Sequence, residues 1–328
     1  MKQSQSDDAS QTIDAINQRT GRNMPQAVAT GALLVAVILA CVLIRPDAFM
    51  LLIVFFMTLG LWELRVDFAT ADIHIPIVAL WICSAATMLL MFYGSDHLSY
   101  MFAALLATLV LVAIAASFQG GGSSSLRRAV AHKLKLGSES DLAGQASQAQ
   151  GSLSERILGK YTNVAVSMLT VVYITMLACF IVLPTTFGGH PVAHAMIAVF
   201  LPAVSDIGGL FFGAWFGKHK LSPRISPKKS VEGLAGSMLM CILAAFAIFA
   251  ATYPREQWQQ IWWVALVLGA TVGVTGTFGD LSASLIKRDL GIKDMGHLLK
   301  GHGGVLDRVD SILMSAPFIT CILWVTGL

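Results

Sequence analysis

Three carboxylates in the C-terminal part of this chain have the types and positions of a cation site. Asp280 closes one long apolar run, and Asp307 and Asp310 open the next. The last two stand at i and i+3, so a helix sets them on one face. Carboxylates meeting at a water–lipid boundary are hard oxygen ligands. They suit Mg²⁺, which keeps some of its waters and completes its shell with phosphate oxygens. Between them lie Lys287, Arg288 and Lys293, which can neutralise phosphate charge. The pair Gly303-Gly304, just after His302, lets the backbone turn tightly and approach a ligand. The segment SLIKRDLGIKDMGHLLKGHGGVLDRVD, residues 284–310, holds five cations, four carboxylates and two histidines. Helix capping by an aspartate accounts for Asp307 and leaves the rest unexplained.

A second polar segment, GKHKLSPRISPKKSVEG at 217–233, carries Lys218, His219, Lys220, Arg224, Lys228 and Lys229 around two Ser-Pro turns. It then opens a helix at Ser230, with Glu232 in the first turn. Clustered cations beside a helix N-terminus suit a polyphosphate, because the backbone N–H groups and the positive helix end add to the side-chain charge. Read alone, the segment fits an ordinary juxtamembrane basic loop equally well. Asp206 lies inside an apolar run beside Gly208 and Gly209, so it must face the bundle or a polar cavity. Glu63, in LGLWELRVD, is either an interfacial anion or a site residue. His190 and His194 read as interfacial polar residues rather than metal ligands. Together the two segments describe a cavity at the membrane surface for Mg²⁺ and several phosphates, suited to phosphoryl or nucleotidyl transfer to a lipid. No Walker A pattern is present.

The elements that must position these groups are membrane helices. Of 328 residues, 55% are hydrophobic and 12% charged, about half the charged fraction of a soluble domain. Apolar runs of about 20 residues match a hydrocarbon core of about 30 Å. The sequence predicts an all-α, polytopic integral membrane protein with about nine spans, at 26–45, 47–64, 74–93, 98–117, 161–183, 192–216, 231–252, 258–280 and 306–327. With a cytoplasmic N-terminus, 20 of the 22 Lys and Arg fall inside, leaving Arg45 and Arg255 outside. Both polar segments then face the cytoplasm. Residues 1–24 read as a disordered tail, unlike a cleaved signal. Residues 25–117 form a four-helix membrane region, 118–160 a flexible linker rich in Gly, Ser and Gln, and 161–328 a five-helix catalytic region. The five cysteines all sit in apolar runs without a CxxC pair, as small packing residues do. The net charge of +3 gives no reason to expect nucleic acid.

The residues resemble the membrane-embedded phosphatidate cytidylyltransferases, also called CDP-diacylglycerol synthases. The family's signature runs S-x-x-K-R, four residues, K-D, any residue and a small one, and ends H-G-G-x-x-D-R-x-D. Ser284, Lys287, Arg288, Lys293, Asp294, Gly296, His302, Gly303, Gly304, Asp307, Arg308 and Asp310 match it in type and spacing. The run from Asp206 through Gly213, Gly217, Lys218, Ser226, Pro227, Lys228, Lys229, Glu232 and Gly233 looks like the family's second characteristic region. The resemblance implies that CTP and phosphatidic acid give CDP-diacylglycerol and pyrophosphate at the bacterial plasma membrane. It further implies Mg²⁺ at Asp280, Asp307 and Asp310. Catalytic groups are expected at Asp280, Ser284, Lys287, Arg288, Asp294, His302, Asp307, Arg308 and Asp310. Substrate binding is expected from Asp206, Lys218, Ser226, Lys228, Lys229, Glu232, Lys293, Gly303 and Gly304. A second, monovalent cation is left open, and a homodimer rests on the resemblance alone. Two positions depart from the pattern: Ala283 stands where the family usually has an acid, and Lys300 where it usually has proline.

Two other readings fit less well. An ion-coupled transporter predicts intramembrane charges spread through the bundle and often inverted repeats, whereas here the polar weight falls on one face. CDP-alcohol phosphotransferases carry a DG-x-x-AR pattern that is absent, and polyprenol kinases lack the full HGG-x-x-DR-x-D ending.

Overall fold

A computed structural model describes residues 24–119, 159–223, 225–292, 295 and 304–328; the expected tail, apart from Met24, and nearly all of the expected linker fall outside them. Four helices come first: α1 (Met24–Ile44), α2 (Pro46–Thr70), α3 (Ile77–Tyr93) and α4 (His97–Ser117). Five follow: α5 (Gly159–Thr186), α6 (Pro191–Phe216), α7 (Val231–Thr252), α8 (Arg255–Leu290) and α9 (Leu306–Thr326). Between α6 and α7 an antiparallel ribbon pairs β1 (Lys220–Ser222) with β2 (Ser226–Ser230), a small exception to the all-α expectation. Local chemistry sets several of the ends. Pro46 and Pro191 stand in the first turns of α2 and α6, where no N–H partner is lost. Asp96 and Ser230 accept backbone N–H bonds as caps of α4 and α7.

Among the described residues seven helices are long and apolar enough to cross a membrane: α2, α4 to α7, α8 from Gln259, and α9. The apolar parts of α1 (Gly31–Ile44) and α3 are shorter. The molecule is therefore an all-α polytopic integral membrane protein. Outward-facing Leu43, Ile82, Leu106, Leu210 and Trp215 are each more than 60% exposed, as side chains that meet lipid rather than protein must be.

Two apolar cores hold the bundle. One joins α2 to α6 with α9 through Phe49, Leu61, Leu80, Met88, Ile174 and Leu313. The other joins α6 to α9 through Ile197, Cys241, Phe249, Leu268 and Leu323. In the second, small residues bring backbones together, as membrane helices without a water-driven collapse require. A Cβ on Gly273 would stand 2.5 Å from Met238 Cα, and one on Gly208 would stand 2.8 Å from Gly236 O. All five cysteines are free.

The expected end of the eighth span at Asp280 is corrected by the structure. Helix α8 continues for ten residues and stops at Gly291, whose φ of 71° is left-handed. The polar residues between Asp280 and Leu290 are therefore helical rather than part of a loop.

Candidate active site

The extension of α8 decides how the site is built. Asp280, Ser284 and Lys287 follow one another at i, i+4 and i+7 and share a helix face. Arg288, in the same last turn, is exposed. At this level a Cβ on Gly279 would lie 2.7 Å from Asp310 O, so α8 and α9 meet almost backbone to backbone. Lys229, at the end of β2, reaches across to Asp280 with Nζ to Oδ2 of 2.7 Å. Lys287 pairs with Asp307, Nζ to Oδ1 2.8 Å, and the other oxygen of Asp307 accepts the Met295 N–H at 3.1 Å.

Asp310 is 4% exposed. Its Oδ1 accepts the Ser311 N–H at 2.7 Å and lies 3.4 Å from Ser311 Oγ, which donates to Asp206 Oδ1 at 3.0 Å. One serine thus joins the carboxylates of α6 and α9. Asp310 also lies in the field of Asp280 and Asp307, and Asp206 in that of Lys229 and Arg308. Asp206 faces the bundle, as an intramembrane carboxylate must.

The structure does not assemble Asp280, Asp307 and Asp310 into a three-carboxylate cage. Among the described residues no three His, Cys, Asp or Glu side chains could hold a metal by themselves. Asp307 is turned to Lys287 and Met295, while Asp206 comes to Asp310 instead. The donor chemistry still fits Mg²⁺, which is held by one or two carboxylates, water and substrate phosphate rather than by an all-protein cage.

The basic segment at 217–233 is a ribbon closed at its base. Glu232 accepts the N–H groups of Lys218 at 3.0 Å and His219 at 3.2 Å, and its Oε1 lies 2.6 Å from His219 Nδ1. Its carboxylate thus clasps the ribbon to the first turn of α7. Ser226 pairs with Ser222 in the ribbon, and the Lys218 side chain is exposed. The Lys228 side chain lies outside the described residues, as do Lys293, Asp294, His302, Gly303 and Lys300.

Glu63 is buried rather than interfacial. It is 1% exposed and accepts the N–H groups of Val305 at 2.8 Å and Leu306 at 2.9 Å. Val305 gives α9 no side-chain cap, so a residue from α2 supplies it. A Cβ on Gly304 would overlap the Met295 carbonyl and come within 3.0 Å of Glu63 Oε2, so only glycine fits. His194 is fully buried rather than interfacial, with Nδ1 2.7 Å from Pro184 O and Nε2 3.1 Å from Tyr253 OH.

Two site residues have no counterpart among the sequence expectations. Ser311 directly follows Asp310, and a hydroxyl beside a buried acid was an available signal. Tyr173 stands on a π-helical turn of α5, Val171–Met176, of the kind often found at functional sites. Its buried hydroxyl lies beside Ser282, with the charges of Asp310 and Asp307 near. An isolated tyrosine in an apolar run carries no such signal.

Residues 25–326 match the model of the cytidylyltransferase family. The chain belongs to that family. A phosphatidate cytidylyltransferase of Mycobacterium leprae is 50% identical over 129 residues, which is 39% of this chain and 39% of that protein. One of Staphylococcus aureus is 33% identical over 177 residues, 52% of this chain and 65% of its own length. The uncharacterized protein YnbB of Escherichia coli is 38% identical over 153 residues, 46% of this chain and 49% of that protein. The matched stretch thus spans about two fifths of the mycobacterial family member and about half to two thirds of the other two.

Proposed function

We propose that the protein transfers the cytidylyl group of CTP to phosphatidic acid, giving CDP-diacylglycerol and pyrophosphate. The observation that carries this reading is the convergence of Asp206, Asp280, Asp307 and Asp310 with Lys229 and Lys287 at one end of α6, α8 and α9. Family membership and the relatives named phosphatidate cytidylyltransferase support the choice of substrates.

In the proposed reaction an ionised phosphate oxygen of the lipid attacks the α-phosphorus of CTP. The bond from that phosphorus to the bridging oxygen breaks, and its electron pair leaves with pyrophosphate. The nucleophile arrives already charged, so the site needs no strong base; it needs positioning and charge compensation. Asp206 and Asp310, linked through Ser311, are proposed to supply the carboxylate ligands of Mg²⁺, with water and phosphate oxygens completing its shell; bound there, the ion would neutralise phosphate charge. Lys229 and Lys287, oriented by their carboxylate partners, are proposed to meet the phosphates. Asp307 holds Lys287 and accepts the Met295 N–H. The site is proposed to face the cytoplasm of a bacterial plasma membrane, with α1 and α3 completing nine spans and the N-terminus inside. That topology sorts 20 of 22 basic residues.

The test is pyrophosphate release and CDP-lipid formation by the purified chain with CTP, phosphatidic acid and Mg²⁺. Folded protein that forms neither product in the presence of both substrates would sink the reading. Tyr173→Phe removes a buried hydroxyl beside Ser282 while keeping the ring, so its unfolding temperature is expected to stay close to that of wild type. If the hydroxyl meets a phosphate, turnover falls roughly tenfold, the loss expected for one hydrogen bond to a charged group. Unchanged turnover would remove Tyr173 from the site.

A further inference from the structure

An apolar cleft runs between α1, α2, α5 and α9, walled by Leu34, Ile38, Met57, Ala178, Val309 and Ile312. Protein interiors are ordinarily filled to crystal-like density, so a cleft of this kind is space kept for something else. Arg308 is its one charged lining residue among those described. It follows Asp307 on α9 and its charge acts on Asp206, so one end of the cleft lies beside the candidate active site. On the α2 wall Gly60 withholds a side chain. A Cβ there would meet only Leu306 Cδ1, at 3.9 Å.

We propose that this cleft receives one acyl chain of the phosphatidate, an inference that rests on the reaction proposed above. Two features argue for the substrate lipid over an ordinary bilayer lipid. The first is charge: a guanidinium beside the active-site carboxylates complements a phosphate head group, and the remaining wall complements hydrocarbon. The second is length. From Gly60 to Phe49, the deepest lining residue on α2, the wall rises about 16 Å. That is about half of the roughly 30 Å hydrocarbon core, room for a long stretch of one acyl chain running from Arg308 towards the Arg45 end of α2. A lipid entering sideways can therefore thread one chain along α2 while its phosphate stops at Arg308. The cleft then holds the head group at a fixed depth relative to Asp310 and favours chains long enough to fill it.

The substitutions Gly60→Ala, Gly60→Leu and Gly60→Phe add progressively larger side chains to the wall, and Leu34→Trp narrows the opposite side. For each variant, kcat/KM is measured with dioleoyl and with dihexanoyl phosphatidate, alongside the unfolding temperature in detergent. The ratio of long-chain to short-chain kcat/KM is expected to fall stepwise along the Gly60 series. In folded Gly60→Phe and in Leu34→Trp it should fall at least about tenfold, since several methylenes lose their burial. Wild-type turnover with a ratio that stays within about twofold in both folded variants overturns the cleft as the acyl site. A second arm is independent of turnover: phosphatidate with a photoactivatable group along one acyl chain is irradiated on the full chain. Labelling of α1, α2 and α9 peptides that Gly60→Phe suppresses supports the cleft, even if CTP is not consumed and the reaction itself is wrong. Labelling spread evenly over the outward-facing residues identifies bilayer lipid only and overturns it.

Discussion

Asp310→Asn is expected to reduce turnover about 10²- to 10³-fold, the usual cost of removing one preorganised electrostatic partner of a phosphoryl-type transition state. The same change is expected to leave the unfolding temperature at or above that of wild type. Asparagine keeps the shape and can still accept from Ser311, while the charge it removes lies in the field of Asp206, Asp280 and Asp307. Like charges in a poorly hydrated site oppose one another, so neutralising one relieves the folded state. A residue that lowers stability as it enables chemistry is the signature of a functional site. The measurement pairs steady-state kinetics with thermal unfolding in detergent. A variant that unfolds well below wild type would mean that Asp310 serves the fold. One with wild-type turnover would remove it from the mechanism.

Glu63→Ala is expected to damage both stability and turnover. It strips the N–H groups of Val305 and Leu306 of their acceptor in a buried place. Each buried donor left unsatisfied costs about 1 to 3 kcal/mol, and the negative charge at the α9 N-terminus is lost as well. A loss of about 3 to 5 kcal/mol follows if both donors stay dry. Asp307 and Asp310 stand in the first turn and a half of the same helix, so they drift with it. Glu63→Gln keeps one good acceptor and no charge, and it should fall between wild type and alanine in both unfolding temperature and kcat. If Glu63→Gln loses all turnover at wild-type stability, Glu63 contacts substrate directly. If Glu63→Ala loses neither, the cap is not what sets α9.

Several of these parts were legible before any coordinates. Hydropathy found most of the helices because lipid forces long uncharged runs, and the 284–310 segment could be recognised because its charges have no other reason to gather there. The end of α8 was misread for a physical reason. A hydropathy window stops at the first charges, whereas helix formation does not; SLIKRDL is a good helix-forming run, and Gly291 was the available stop signal. Pairings across the bundle were beyond reach. Lys229 with Asp280, Ser311 between Asp206 and Asp310, and Glu63 under α9 all join residues whose separation in sequence carries no information about distance. The ribbon at 220–230 was hidden because its two Ser-Pro steps read as turns, and the polar hydrogen bonds that close it come from Glu232, in the next helix.

The close backbone contacts along α8 bear on how this protein can change over generations. Gly269, Gly273, Gly276 and Gly279 recur at steps of four, three and three. An added methyl at any of them would press on Ile242, Met238, Ser205 or the Asp310 backbone. Phe278 and Leu285 on the same helix look outward, 51% and 45% exposed. A saturation library across α8 would therefore read as a barcode, with intolerant bars at the helical period and permissive gaps between them. Descendants of this sequence are free to vary the gaps for membranes of different thickness or composition. The bars hold Asp280 against Asp310 and leave little room for drift.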